Sequence, residues 1–133
     1  MAKEIWINLA VKDVLKSKDF FEAIGFKVNE ARTSAQMAAV SYGSNVPMVM
    51  LFPENTIKHF TGAELADPAT ASVLFSFGAD TREEVDETAQ KVTVAGGQIY
   101  SQPTEIDGWM YSFSFSDLDG HRWNMLHMKP RED

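Results

Sequence analysis

The chain has 133 residues, of which 44% are hydrophobic and 11% aromatic, and its formal net charge is −7. This length and composition fit one domain with a hydrophobic core and exclude a disordered or fibrous chain. No apolar run approaches the roughly 20 residues of a membrane-spanning helix, and no basic-then-apolar leader opens the chain. The sequence has no cysteine, which suits a reducing cytoplasm. We therefore expect a cytoplasmic protein with no membrane partner.

The negative charge is unevenly distributed along the chain. Residues 1–50 carry a balance of +1, whereas residues 51–133 carry −8. A surface of this sign repels a phosphate backbone and mildly attracts cations. We therefore expect no nucleic-acid partner.

The first half of the chain predicts a strand, a helix and three further strands. Alternation in EIWINLAV, residues 4–11, indicates a strand, and Asp13 can cap the helix that follows. Gly25 is placed to end that helix in a left-handed conformation. Extended runs then cover residues 26–32, 36–42 and 47–52, with a turn at residues 43–45. The apolar stripe of the helix consists of Val14, Ser17, Phe20, Phe21 and Ile24.

The second half repeats this order of elements. A strand is expected over residues 71–79, followed by a helix that Asp80 or Thr81 caps and that Gly96 ends. Extended runs follow at residues 98–102, 109–116 and 121–128, the last two joined by a tight turn at residues 117–120. The stripe of this helix consists of Val85, Thr88, Ala89 and Val92.

The two helix stops, Gly25 and Gly96, lie 71 residues apart, and the matching order of elements indicates an internal duplication. The predicted fold is α+β, with tandem βαβββ units that form two curved four-stranded mixed sheets around a cleft. We expect a single domain over residues 1–133. Within it, residues 3–52 form the first unit, residues 53–69 a linker or lid, and residues 70–128 the second unit.

Two stretches carry a resemblance to a known family. INLAVKDVLKSKDFFEAIGFKV is similar to the first strand and helix of the vicinal oxygen chelate superfamily, and FSDLDGHRWNM is similar to its closing strand. That superfamily contains glyoxalase I, extradiol dioxygenases, and fosfomycin- and bleomycin-resistance proteins. The resemblance implies the fold, whereas activity must be argued from the site because the superfamily hosts several chemistries.

The resemblance also implies where a metal would bind. Metal-using members take one ligand from the first strand and one from the last strand of each half, and here those positions hold Trp6, Met50, Ser72 and Asn124. An indole offers no lone pair, a thioether is a poor ligand for such divalent ions, and hydroxyl and amide groups are weak donors. We therefore predict no metal and no cofactor, and we assign no catalytic residue.

A cleft that has exchanged its metal ligands for side chains such as Trp and Met is expected to be a hydrophobic pocket for a small molecule. Alternation along the last strand turns Arg122 and Asn124 towards it and Trp123 and Met125 towards the helices. Asn124 has two interpretations: a polar residue satisfied by neighbouring backbone, or an amide that orients a ligand. Asp117 and Asp119 are expected to form the turn. The predicted ligand-binding residues are Trp6, Asn8, Met50, Ser72, Trp109, Tyr111, Arg122 and Asn124.

Three hypotheses for function follow. The first is non-catalytic binding of a small, partly aromatic and possibly cationic molecule, as in bleomycin-resistance proteins. The second is an enzyme of the superfamily, a lyase, isomerase or dioxygenase, with an unconventional metal site or a metal-free one. The third is a structural or regulatory module whose cleft is filled. Because relatives of this fold often dimerise, we also expect a homodimer.

Overall fold

A computed structural model describes residues 5–43, 47–67 and 70–129. The chain divides into two compact units, residues 1–68 and 69–133. Each unit has the predicted βαβββ order and one four-stranded mixed sheet, so the α+β prediction is confirmed. Predictions for Glu4, Ser44, Asn45 and Pro68 fall outside the described residues. In the described part of the chain, no helix is long and apolar enough to cross a membrane.

Within residues 5–43 and 47–67, the first unit contains four strands and two helices. Their bounds are β1 Trp6–Val11, α1 Val14–Ala23, β2 Lys27–Val28, a 3-10 turn at Glu30–Arg32, β3 Ala38–Ser41, β4 Met48–Pro53 and α2 Glu54–Thr61. The sheet order is β1-β4-β3-β2, with β1 and β4 parallel and the other neighbours antiparallel. The extended run predicted over residues 26–32 is therefore only partly a strand, because its second half turns into the 3-10 segment.

Helix α1 begins and ends where the sequence predicts. The Asp13 side chain accepts a hydrogen bond from the Lys16 backbone N–H at 3.0 Å, which caps the first turn. At the other end, the backbone N–H of Phe26 donates to the Phe21 carbonyl at 2.9 Å, with Gly25 at φ 115° between them. This is a Schellman closure, which requires a left-handed residue at that position.

The sheet of the first unit has two different faces. The residues facing one side include Val11, Val40 and Leu51, which are fully buried together with Phe21 of α1. Register pairs Asn8 with Met50 on the opposite face, where Phe52 also lies. Helix α2 packs on this second face, where the Phe60 ring meets the Phe52 ring edge-on at 5.4 Å.

In the described part of the second unit, residues 70–129, there are four strands and one helix. Their bounds are β5 Phe75–Gly78, α3 Arg82–Ala95, β6 Gln98–Ile106, β7 Met110–Ser116 and β8 Arg122–Met128. The sheet order is β5-β8-β7-β6, with β5 parallel to β8. The buried positions of α3 are those of the predicted stripe, Val85, Thr88, Ala89 and Val92, and Thr81 caps its first turn.

Two strands of the second unit differ in length from the prediction. β5 starts at Phe75, which pairs with Trp123 near the start of β8, and residues 71–74 before it are not part of a strand. Ser72, which we predicted to lie in a strand over residues 71–79, therefore lies before the observed strand β5. β6 continues past Pro103 to Ile106, which an edge strand permits because one side of it needs no backbone donor.

Candidate functional site

The turn between β7 and β8 fixes the geometry of one end of the second sheet. Asp117 Oδ1 accepts hydrogen bonds from the backbone N–H groups of Asp119 at 2.9 Å and His121 at 3.0 Å, and Oδ2 accepts from Trp123 Nε1 at 3.1 Å. Burial raises the pKa of Asp117, whereas the charge of His121 and these hydrogen bonds oppose the rise. Asp117 is thus a turn-former, as predicted, and it also orients the Trp123 indole.

The two faces of this sheet differ in chemistry. Phe75, Phe115 and Trp123 are register partners on the face that α3 covers, which also carries Phe113 and Met125. On the other face, Asn124 lies between Ser76 of β5 and Ser114 of β7. Ser112 and Ser116 share this second face because they pair with Leu126 and Arg122. The second face is therefore more polar than the hydrophobic lining that we expected.

A cavity of about 440 Å³ lies at the end of this sheet where β5 and β8 begin. The segment before β5 forms one side of it, and residues of β6, β7 and β8 form the rest. Its lining includes Ser72, Val73, Leu74, Tyr100, Ser114, Phe115, Arg122 and Trp123. This volume is within the range of small-molecule sites, and the mixture of rings with a few polar groups is typical of them.

Arg122 and Tyr100 form the polar rim of the cavity. The guanidinium carbon of Arg122 lies 3.8 Å from the centroid of the Tyr100 ring, a cation–π contact. Tyr100 is 50% exposed, so the part of its ring that Arg122 does not cover can contact a ligand. Arg122 was predicted as a site residue, whereas Tyr100 was missed, because nothing in the sequence fixes how β6 aligns with β7.

Asn124 lies on the same face as Arg122, two residues farther along β8. Its side-chain oxygen Oδ1 is buried and has no hydrogen-bond partner among the described residues. The interpretation in which neighbouring backbone satisfies this oxygen is therefore wrong. Ser76 and Ser114 flank Asn124 across the sheet, and Ser76 was also missed.

The structure brings Ser72 and Arg122 together at the cavity and places Asn124 beside it, but it places Tyr111 elsewhere. The Tyr111 hydroxyl donates to Asp86 Oδ1 of α3 at 2.6 Å, on the face opposite Asn124. That hydrogen bond is the main cause that raises the pKa of Tyr111. Trp109, which is 47% exposed, precedes β7 at the end away from the cavity.

The predicted site residues of the first unit share one face of its sheet. Trp6 and Asn8 alternate with the buried face of β1, and Met50 is the register partner of Asn8. The Arg32 guanidinium carbon lies 5.7 Å from the centroid of the exposed Trp6 ring. Ligand-binding roles for these three residues remain predictions.

The side chains at the metal positions implied by the resemblance do not suit a divalent ion. The Trp6 ring is in contact with a guanidinium, Met50 offers a thioether, and Ser72 lies in the irregular segment before β5. Within residues 5–43, 47–67 and 70–129, no three His, Asp or Glu side chains form a group that could hold a metal. We derive no chemical step through a metal.

Comparisons with known proteins agree on the family. The model of the Glyoxalase/Bleomycin resistance protein/Dioxygenase superfamily matches residues 5–125. A hypothetical protein, SA1046 from S. aureus, is 35% identical with a TM-score of 0.84, covering 96% of this chain and 94% of its own. No curated protein matches.

Two further solved structures share the fold at lower identity. A glyoxalase/bleomycin resistance protein/dioxygenase family enzyme from Burkholderia phytofirmans is 16% identical, with a TM-score of 0.80 and coverage of 93% of this chain and 97% of its own. The fosfomycin resistance protein FosX from Listeria monocytogenes is 18% identical, with a TM-score of 0.71 and coverage of 97% and 95%.

Proposed function

The chain belongs to the glyoxalase/bleomycin resistance protein/dioxygenase superfamily, and we propose that it binds a small, partly aromatic molecule without the metal ligands usual in that superfamily. The observation that carries this proposal is the cavity of about 440 Å³ in the second unit, with Arg122 stacked on Tyr100 at its rim. Binding there would depend on the fit of the ligand to the cavity, on contacts with aromatic rings and on hydrogen bonds to polar side chains.

The cavity walls favour a ring. Tyr100 and the exposed side chains of Val73 and Leu74 line the cavity, and the almost fully buried rings of Phe115 and Trp123 complete its wall. Aromatic side chains recognise ring ligands through offset-stacked and edge-to-face contacts. Covering Val73, Leu74 and Tyr100 with a ligand would also remove apolar surface from water, which favours binding.

The charge at the rim defines the polar part of the ligand. Arg122 is the charged residue of the lining, and a guanidinium presents several N–H donors to an acceptor or anionic group. The acidic composition had suggested a cationic ligand. At this cavity, a cationic group would be repelled by Arg122, so we propose a ligand with an acceptor or anionic group.

Calorimetric titration with benzoate and with benzylamine tests this proposal. We expect saturable binding of benzoate, weaker or no binding of benzylamine, and a loss of benzoate affinity of roughly 10- to 150-fold in Arg122→Met, since hydrogen bonds to charged groups contribute about 1.5–3 kcal/mol. Lys129→Met is the matched control, because it removes an exposed positive charge outside the cavity. Tighter binding of benzylamine, or no binding of either probe, would contradict the proposal.

We infer in addition that the protein is cytoplasmic and forms a homodimer. Residues 53–69 are proposed to act as a linker or lid. The absence of cysteine supports the location. Large apolar side chains that remain exposed on the single chain, such as Ile5 at 72% and Val73 at 56%, support association. Light scattering after size exclusion tests the assembly, and the 14.9 kDa mass of one chain at all concentrations would rule out the dimer.

A further inference from the structure

The side-chain oxygen of Asn124 identifies a second requirement on the ligand. We infer that Asn124 is a specificity-determining residue whose Oδ1 accepts a hydrogen bond from an N–H or O–H group of the bound molecule. The ligand class is then an aromatic molecule with an adjacent acceptor and donor, such as a primary carboxamide. This inference rests on the proposed function, because it assigns a polar partner within the same site.

The observation behind it is an unpaired, shielded acceptor atom on a half-buried residue. Asn124 Oδ1 is shielded from solvent and has no donor among the described residues. Leaving a buried acceptor without a partner destabilises a folded protein, and native structures contain few such groups. A leucine of similar shape at this position would avoid the cost. The amide is therefore a poor choice for packing alone and a reasonable one for recognition.

The surroundings of Asn124 are suited to a polar ligand. Ser76 and Ser114 flank it on the same face, and Ser114 also lines the cavity. Arg122 precedes it by two positions on β8, so an acceptor-binding guanidinium and an acceptor oxygen lie next to each other on one face. A carboxamide carries a carbonyl oxygen and an N–H group on the same carbon, so one ligand group offers an acceptor to Arg122 and a donor to Asn124.

The burial of the oxygen also defines how the contact forms. Because Oδ1 has almost no accessible surface in the unliganded chain and Asn124 is not among the residues that line the cavity, the contact forms only when the amide rotates towards the cavity. Binding then converts an unpaired acceptor into a paired one. The preference for a donor-bearing ligand should depend on this single side chain.

Two neutral probes of similar shape measure what a hydrogen-bond donor on the ligand contributes to affinity. Benzamide offers an acceptor and a donor, whereas methyl benzoate offers acceptors alone. We expect the wild-type protein to bind benzamide roughly threefold to tenfold more tightly than methyl benzoate, the worth of one hydrogen bond. In Asn124→Leu this ratio should fall to about one, and the melting temperature without ligand should rise by roughly 3–6 °C because the unpaired acceptor is gone.

The control for the melting temperature is Asn8→Leu, the same substitution at an exposed strand position of the first unit. A rise confined to Asn124→Leu supports the inference. An equal rise in both variants, or a fall in Asn124→Leu, overturns it, because the Asn124 amide would then carry no special cost.

The failure of the inference is distinguishable from failure of the proposed function. If the wild-type protein binds none of the aromatic probes, the proposed function fails and the inference with it. If it binds both neutral probes equally, or if Asn124→Leu keeps the preference for benzamide, only the inference fails. A third readout needs no variant: the Asn124 side-chain amide resonances should shift with benzamide and stay in place with methyl benzoate, and the reverse pattern overturns the inference.

Discussion

The carboxylate of Asp117 accepts the indole N–H of Trp123, with Nε1 and Oδ2 3.1 Å apart, and both residues are buried. The other oxygen of the same carboxylate holds two backbone N–H groups of the turn. Since Trp123 also lines the cavity, one side chain connects the conformation of the β7–β8 turn to the shape of the candidate site.

Trp123→Phe should lower the free energy of unfolding by roughly 1–3 kcal/mol, because it leaves a buried carboxylate oxygen without its donor. Trp109→Phe is the matched control. Trp109 is 47% exposed, so the same change there should alter stability by less than about 0.5 kcal/mol. Urea unfolding followed by circular dichroism measures both variants without relying on tryptophan fluorescence. Equal effects of the two substitutions would show that the Asp117–Trp123 bond contributes nothing measurable.

Asp117 should also give the stability of the protein a specific pH dependence. Burial raises the pKa of Asp117 above its ordinary value of 3.8 in the folded chain, so the folded state holds this proton more tightly than the unfolded state does. The resulting contribution to stability is fully present below pH 3.8 and is lost as the pH rises through the raised pKa.

Asp117→Asn isolates that contribution, because an amide does not titrate in this range. The free energy of unfolding of the wild-type protein minus that of the variant should decrease as the pH is raised from below 3.8. The substitution also changes stability in ways that do not depend on pH, so the slope of this difference against pH is the quantity to compare. A difference that increases with pH would mean that the carboxyl pKa is lowered in the folded chain.

Much of the second unit could be predicted because its signals are local. Asp and Gly residues indicated the turn, and alternation correctly turned Trp123 inwards and Asn124 to the other face. The capping residues Asp13 and Thr81 also act as their chemistry requires, since each accepts a hydrogen bond from the first turn of its helix.

The position of Tyr111 shows where local signals are insufficient. We expected β8 to start at His121, which leaves a four-residue turn and places Tyr111 on the face of Asn124. Instead Ser116 pairs with Arg122, so the loop has one residue more. A shift of one residue moves every side chain of a strand to the opposite face. Tyr100 and Ser76 were missed for a related reason, because strand pairing brings them to the site and the sequence does not specify that pairing.

Asp86→Asn should lower the pKa of Tyr111. The hydrogen bond to Asp86 is the first cause that raises this pKa, burial and the Asp86 charge add to it, and Arg82 opposes it. An asparagine keeps an acceptor but removes the charge that disfavours the phenolate. The ring carbon resonances of Tyr111 followed through alkaline pH report the value directly. Glu87→Gln removes an adjacent, exposed charge of the same helix and should leave the pKa within experimental error.

Gly25→Ala should destabilise the first unit for two separate reasons. Gly25 has φ at 115°, where an alanine is strained, and an added Cβ would lie 3.2 Å from Cε1 of the Tyr42 ring. We expect a loss of roughly 2–4 kcal/mol, the sum of backbone strain and a displaced ring. Thermal unfolding followed by circular dichroism measures it.

Gly62→Ala measures a backbone cost without a contact, because Gly62 also ends a helix in the left-handed region, with φ at 67°, and no atom of the described residues lies within 4 Å of the added Cβ. Its cost should therefore be the backbone term alone, about 1 kcal/mol. The difference between the two variants reports the contact with Tyr42 together with the extra backbone strain at φ 115°, because Gly62 lies in the left-handed region that an alanine can adopt. If Gly25→Ala and Gly62→Ala cost the same, the Tyr42 ring moves aside freely and the packing part of the argument is wrong. If neither substitution lowers stability, the left-handed conformations are not required to end α1 and α2.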